Sequence, residues 1–198
     1  MTKVIDYYHF LLSPWSYLGI QHFNSVVAKH GAVVKYKPIS VMDTFDNMGG
    51  THPSKRHPSR IKHRMVELKR WSKHLDITMN FEPAFWPADQ SLAAQMVYAI
   101  QDTNGNAGPF SDAILTAVWA QDRNIADENV LAEIAREYGF DSNALIAQAK
   151  SDAIAQTYSK TTQEAHERDV FGSPTYVYNG ENFWGQDRID FLDKALEN

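Results

Sequence analysis

The chain begins and ends in strand chemistry and reads as helical in between. Residues 4–12 form an apolar, aromatic run with the character of a buried strand. A helical pattern over residues 14–30 follows, with Tyr17, Leu18, Phe23 and Val26 or Val27 as apolar contacts and Gly31 as its stop. Residues 33–39 read as a second strand. Strand, helix, strand within about 40 residues predicts a right-handed crossover joining a parallel pair. At the other end, Thr175-Tyr176-Val177-Tyr178 and Glu181-Asn182-Phe183-Trp184 flank Asn179-Gly180. That pattern predicts a hairpin, because Asn-Gly accepts the positive φ of a type I′ turn. A last helix over residues 188–196 would bury Ile189, Leu192 and Leu196.

The interior reads differently. Residues 43–58 are polar and rich in Gly, His and Pro, and read as a loop. Helical periodicity then covers residues 61–75, 91–101, 110–121, 129–138, 142–149 and 151–169, with Asp127 and Ser142 as N-caps and Gly139 as a stop. The order is βαβ, a helical stretch, then ββα. It predicts an α/β, thioredoxin-like core made of residues 1–42 and 170–198, split by an all-helical insertion at 43–169. A hydrophobic fraction of 43% is ample for a core in 198 residues.

The chemistry concentrates at Ser13-Pro14-Trp15-Ser16, where the first strand meets the first helix. Thioredoxin-like proteins carry C-P-x-C at that corner, and the helix N-terminus lowers a cysteine's pKa there. This chain has no cysteine. Disulfides, thiolate metal sites and cysteine nucleophiles are therefore excluded, and any thiol must arrive with a ligand. Ser13 is either a helix N-cap or the remnant of that thiol site. Pro174 either starts a strand in the ordinary way or is a cis-proline facing the corner, with Ser173 offering its backbone to an extended ligand. Asp187 either caps the last helix or, with Gln186, holds the ammonium of an amino-acid ligand.

A cationic run from His52 to His74 sets eight Lys and Arg side chains, among them Arg56, Arg60 and Arg64, against Glu67 alone. It reads as a solvated helix face or as a rim that attracts an anionic substrate. Nucleic acid is not expected, given a net charge of −5 and no binding motif. The histidines lack metal-ligand spacing, so no metal is expected. Neither a signal-peptide pattern nor a membrane-length apolar run is present, and the expectation is a soluble cytoplasmic protein with no membrane partner.

Four motifs, in order, carry a resemblance: Ser13-Pro14-Trp15-Ser16-Tyr17-Leu18, Leu68-Lys69-Arg70-Trp71, Ala117-Val118-Trp119, and Val170 through Arg188 with Phe-Gly-Ser-Pro-Thr and Phe-Trp-Gly-Gln-Asp-Arg. Over nearly its whole length the chain resembles the 2-hydroxychromene-2-carboxylate isomerase family, relatives of kappa-class glutathione transferases with a DsbA-like fold. The resemblance implies a glutathione-dependent isomerase of aromatic-compound catabolism, acting as a homodimer on a small anionic aromatic substrate. Thiolate addition, ring opening, bond rotation and thiolate expulsion would give the open-chain trans pyruvate. It implies that Ser13 donates to the glutathione sulfur, that Ser173, before Pro174, pairs with the cysteinyl part, and that Gln186 and Asp187 hold the γ-glutamyl group. Arg60 falls where relatives often have lysine and would hold a carboxylate. The chain departs from the pattern at Gly50-Thr51, where relatives have Gly-Asn, at Phe10, where they are often acidic, and at Ser173, where Val or Leu is common. A kappa-like transferase and a non-catalytic thioredoxin-fold binding protein remain alternatives.

Overall fold

The nearly continuous apolar and aromatic run of the first strand sets the architecture, because it lets a central strand bury both of its faces. The computed structural model describes residues 2–51 and 55–197. Strand β1 (Val4–His9) leads into helix α1 (Pro14–His30) and strand β2 (Val33–Pro38). Helices α2 (Val41–Asn47), α3 (Pro58–Leu75), α4 (Ser91–Asp102), α5 (Gly108–Trp119), α6 (Glu128–Glu137), α7 (Ser142–Ala149) and α8 (Asp152–Glu167) follow. Strands β3 (Thr175–Tyr178) and β4 (Glu181–Trp184), a 3-10 turn at Gln186–Arg188 and helix α9 (Ile189–Glu197) complete the chain. The sheet order is β2-β1-β3-β4, with β1 parallel to β2 and the other pairs antiparallel.

Successive residues of β1 face opposite sides. Ile5 and Tyr7 join the larger core with Phe23 of α1, Tyr176 of β3 and Leu192 of α9. Tyr8 joins a second cluster with Val177, Ala165 and Ile39. The larger core runs on through α4 and α5, whose Met96, Phe110, Ile114 and Trp119 are buried. The free edge of β2 is covered by a side chain: Gln101 Oε1 accepts from Tyr36 N at 3.0 Å and its Nε2 donates to Tyr36 O at 2.8 Å. That mimics a ladder partner and blocks pairing with another chain.

The ends of the elements follow local chemistry. Ser13 Oγ accepts from Ser16 N at 3.2 Å, Pro14 fills the first turn, and Gly31 closes α1 at φ 58°. The hairpin turns through Asn179 at φ 49° and Gly180 at φ 83°, as Asn-Gly requires.

Three expectations are corrected. Strand β1 stops at His9 rather than Leu12, because Ser13 N donates to Phe10 O and the chain turns there. Residues 43–58 are not all loop, since α2 occupies Val41–Asn47 under a Ser40 cap. Helix α7 is capped by Asp141, whose carboxylate accepts from Asn143 N and Ala144 N, and not by Ser142.

Candidate active site

The turn after β1 and the loop before β3 meet because β1 and β3 are neighbours in the sheet. Ser13, Ser16 and Ser173 converge there, all buried. Ser173 Oγ accepts from Phe10 N at 2.8 Å and shares a hydrogen with Ser16 Oγ at 2.9 Å. Ser13 Oγ donates to Ser173 O at 3.3 Å, long for a hydroxyl donor. The Ser173-Pro174 bond is cis. Ser173 N makes no hydrogen bond among the described residues. The Ser13 hydroxyl is thus loosely held on the positive end of α1, beside an unpaired backbone N–H.

Ser13 has no base. The nearest candidate in sequence, His9, is fully buried, stacked on Tyr7 at 4.2 Å, and bonded through Nε2 to Ser111 Oγ at 2.8 Å. Burial lowers its pKa to about 4, which keeps it neutral. A serine without a base is a hydrogen-bond donor, not an activated nucleophile.

The Gln186-Asp187 turn is tied to the same loop, because Gly185 N donates to Pro174 O at 2.9 Å. It also lies hard against α1: a Cβ on Gly19 would stand 3.1 Å from Gln186 Cβ. Gln186 is buried, and its side-chain amide makes no hydrogen bond among the described residues. Asp187 is not a helix cap. It sits inside the 3-10 turn and accepts from Arg188 Nη1 at 2.8 Å, while Gly185 holds the cap position without a side-chain bond. Phe171 and Trp184, both about half exposed, meet edge to face at 4.7 Å beside the loop.

A second wall comes from the helical region. Trp86 Nε1 donates to Leu12 O at 3.2 Å, next to Ser13, and Arg64 lies 5.2 Å from the Trp86 ring. Arg56 lies 5.6 Å from the Phe45 ring, and Phe45 meets Phe10 edge on at 5.9 Å. Arg60 is exposed, and no side-chain contact joins it to the corner among the described residues. Thr51 is exposed too, and its carbonyl accepts from Arg56 Nε at 3.1 Å. Of the residues predicted for the site, Ser13, Ser173 and Pro174 come together, with Gln186 and Asp187 joined through Gly185. Thr51 and Arg60 stay at the periphery. The first residue of the cationic run, His52, lies outside the described residues.

Sequence reasoning missed Trp86, Phe45 and the role of Ser16 in holding Ser173. A separate cavity of 510 Å³ opens between α1, β2 and α5, lined by Asn24, Tyr36 and Asp112 among others, and none of the predicted site residues lines it.

A βαβ–ββα sheet with a cis-proline loop facing a helix N-terminus, but serine where thiols would stand, defines a thioredoxin-fold protein without its own redox pair. The DSBA-like thioredoxin domain model matches residues 4–197. A 2-hydroxychromene-2-carboxylate isomerase from Sphingobium xenophagum is 32% identical, with 99% of each chain covered. A solved structure of a 2-hydroxychromene-2-carboxylate isomerase superposes with a TM-score of 0.81 at 26% identity, covering 98% of this chain and 94% of the other. Glutathione S-transferase kappa 1 from Caenorhabditis elegans is a more distant relative, 20% identical over 98% of this chain and 90% of its own. The chain belongs to the 2-hydroxychromene-2-carboxylate isomerase family, on the DSBA-like thioredoxin fold.

Proposed function

We propose that the protein is a glutathione-dependent isomerase acting on a bicyclic carboxylate of the 2-hydroxychromene-2-carboxylate type. The observation that carries the reading is the pairing of Ser13 with the Ser173-Pro174 loop in a chain that has no cysteine, with a full-length isomerase relative at 32% identity.

The residues fit a tripeptide thiol. The Ser173 N–H and the Gln186 side-chain amide, both without a hydrogen-bond partner among the described residues, are groups that a peptide ligand can satisfy. Ser173 would pair its backbone with the cysteinyl unit, and Gln186 and Asp187 would take the γ-glutamyl group. Asp187 would exchange its Arg188 partner for the ligand ammonium, or hold both. Bound glutathione supplies a thiolate, a nucleophile that also leaves readily. Ser13 would turn its loosely held hydroxyl from Ser173 O to the sulfur, and the N-terminus of α1 favours the anion there. Phe171 and Trp184 would shield the loop side from water. Thr51 would act at the entrance, whereas Arg60, exposed and without a side-chain contact to the corner among the described residues, stays outside the binding machinery.

A kappa-like transferase is the second reading, favoured by the relationship to the kappa transferase. Product analysis separates them. With 2-hydroxychromene-2-carboxylate and limiting glutathione, the isomerase converts many equivalents of substrate and the glutathione concentration stays constant. Formation of a conjugate with matching loss of glutathione contradicts the isomerase.

A further inference from the structure

Two arginines stand over aromatic rings that are themselves fixed to the turn carrying Ser13. Arg64 lies on Trp86, whose indole N–H is bonded to Leu12 O. Arg56 lies on Phe45, which packs against Phe10. Phe10 in turn donates its N–H to Ser173 Oγ. Each guanidinium is therefore only two contacts from the turn that leads into Ser13. Neither forms an ion pair among the described residues; Arg56 bonds a carbonyl, that of Thr51, and Arg64 makes no hydrogen bond. Burial, then the neighbouring Arg56 charge, lowers the pKa of Arg64 to about 10. Two cations close enough to repel, both partly stripped of water and neither facing a carboxylate among the described residues, make a wall that lacks an anion. Arg60 differs, being exposed and without an aromatic seat.

We propose that Arg64, seated on Trp86 with Arg56 beside it, is the subsite that takes the carboxylate of the substrate, and that Arg60 is not. The inference rests on the reading that the substrate is a cyclic carboxylate. A planar guanidinium suits the role, because it offers two parallel N–H donors to a carboxylate while its face stays on the indole. The subsite also selects. An uncharged bicycle leaves the desolvated cations unanswered, so neutral analogues bind weakly.

Calorimetric titration with chromone-2-carboxylate and its neutral amide, chromone-2-carboxamide, tests the assignment. The wild type should bind the acid about tenfold or more tightly than the amide. Arg64→Gln should weaken the acid about tenfold and the amide by less than about twofold, with glutathione affinity unchanged. Arg64→Lys should recover part of the loss, since it restores charge without the planar fork, and Arg60→Gln should have little effect. Equal weakening of acid and amide in Arg64→Gln, or no acid binding by the wild type at about 5 mM, overturns the subsite. Discrimination that follows Arg64 in a protein that binds no glutathione upholds the subsite and removes the glutathione reading.

Discussion

Ser13 is a hydroxyl with a weak acceptor and, among the described residues, no base, and that pair of facts sets what it can do. Its bond to Ser173 O is 3.3 Å long, and His9 is occupied by Ser111. Ser13→Ala should lower turnover about a hundredfold to a thousandfold, as loss of a single aimed donor does, while glutathione affinity changes less than about threefold. Steady-state kinetics beside binding measurements check the split. A second residue-scale prediction concerns acid stability. Burial holds the folded pKa of His9 at about 4, against roughly 6.5 in an unfolded chain. Between those values only the unfolded chain takes the proton, so His9 makes stability fall as pH falls. Burial raises Asp112 to about 6, against roughly 3.9 unfolded. There only the folded chain holds the proton, so Asp112 makes stability rise as pH falls. The two oppose one another across most of that window. Asp112→Asn should expose the His9 contribution, with up to about 3 kcal/mol lost from pH 6.5 to pH 4 in urea titrations and a flatter wild type. An equally flat variant would show that His9 does not titrate this way.

At the scale of elements, close approach rather than charge keeps the loops of the site in register. A Cβ on Gly172 would stand 2.4 Å from Trp184 Nε1. Gly172→Ala should therefore expel the half-exposed indole from its seat on Phe171, seen as a change in tryptophan fluorescence, and destabilise the fold by about 1 kcal/mol or less in urea unfolding. The hairpin was legible because its turn is local: Asn179 and Gly180 carry the required positive φ in adjacent positions. Helix α1 was legible for the same reason, with Ser13, Pro14 and Gly31 marking its ends. Helix α2 was not. It has seven residues, of which only Thr44 is buried, too short to show a periodicity. What holds it is distant in sequence: Ser40 N donates to Thr162 Oγ1 at 3.1 Å, and Thr44 Oγ1 meets His166 Nε2 at 3.2 Å. The apolar run past His9 misled for a related reason. Phe10, Leu11 and Leu12 are apolar because they pack beneath the corner, not because they extend the strand.

Across the whole molecule, one sheet pairs Tyr7 with Tyr176, from opposite ends of the chain, and the candidate site exists only because β1 and β3 are neighbours. The motifs at residues 13–16, 173–174 and 186–187 were legible one by one, and the element order joined them. The arginine wall was legible only as a charge excess, because its aromatic seats, Phe45 and Trp86, sit in different parts of the chain and nothing local links them to Arg56 and Arg64. The same molecule-wide view separates fold from redox chemistry. A chain with no cysteine cannot form a mixed disulfide, so its insulin-reduction rate with dithiothreitol should equal the uncatalysed rate, despite the DSBA-like fold. What the fold retains is a cradle, and calorimetric titration with reduced glutathione tests it most directly. Saturable heat is expected at one site per chain, with a dissociation constant between about 1 μM and 1 mM, weakened by Asp187→Ala. No saturable heat up to about 10 mM glutathione would contradict it.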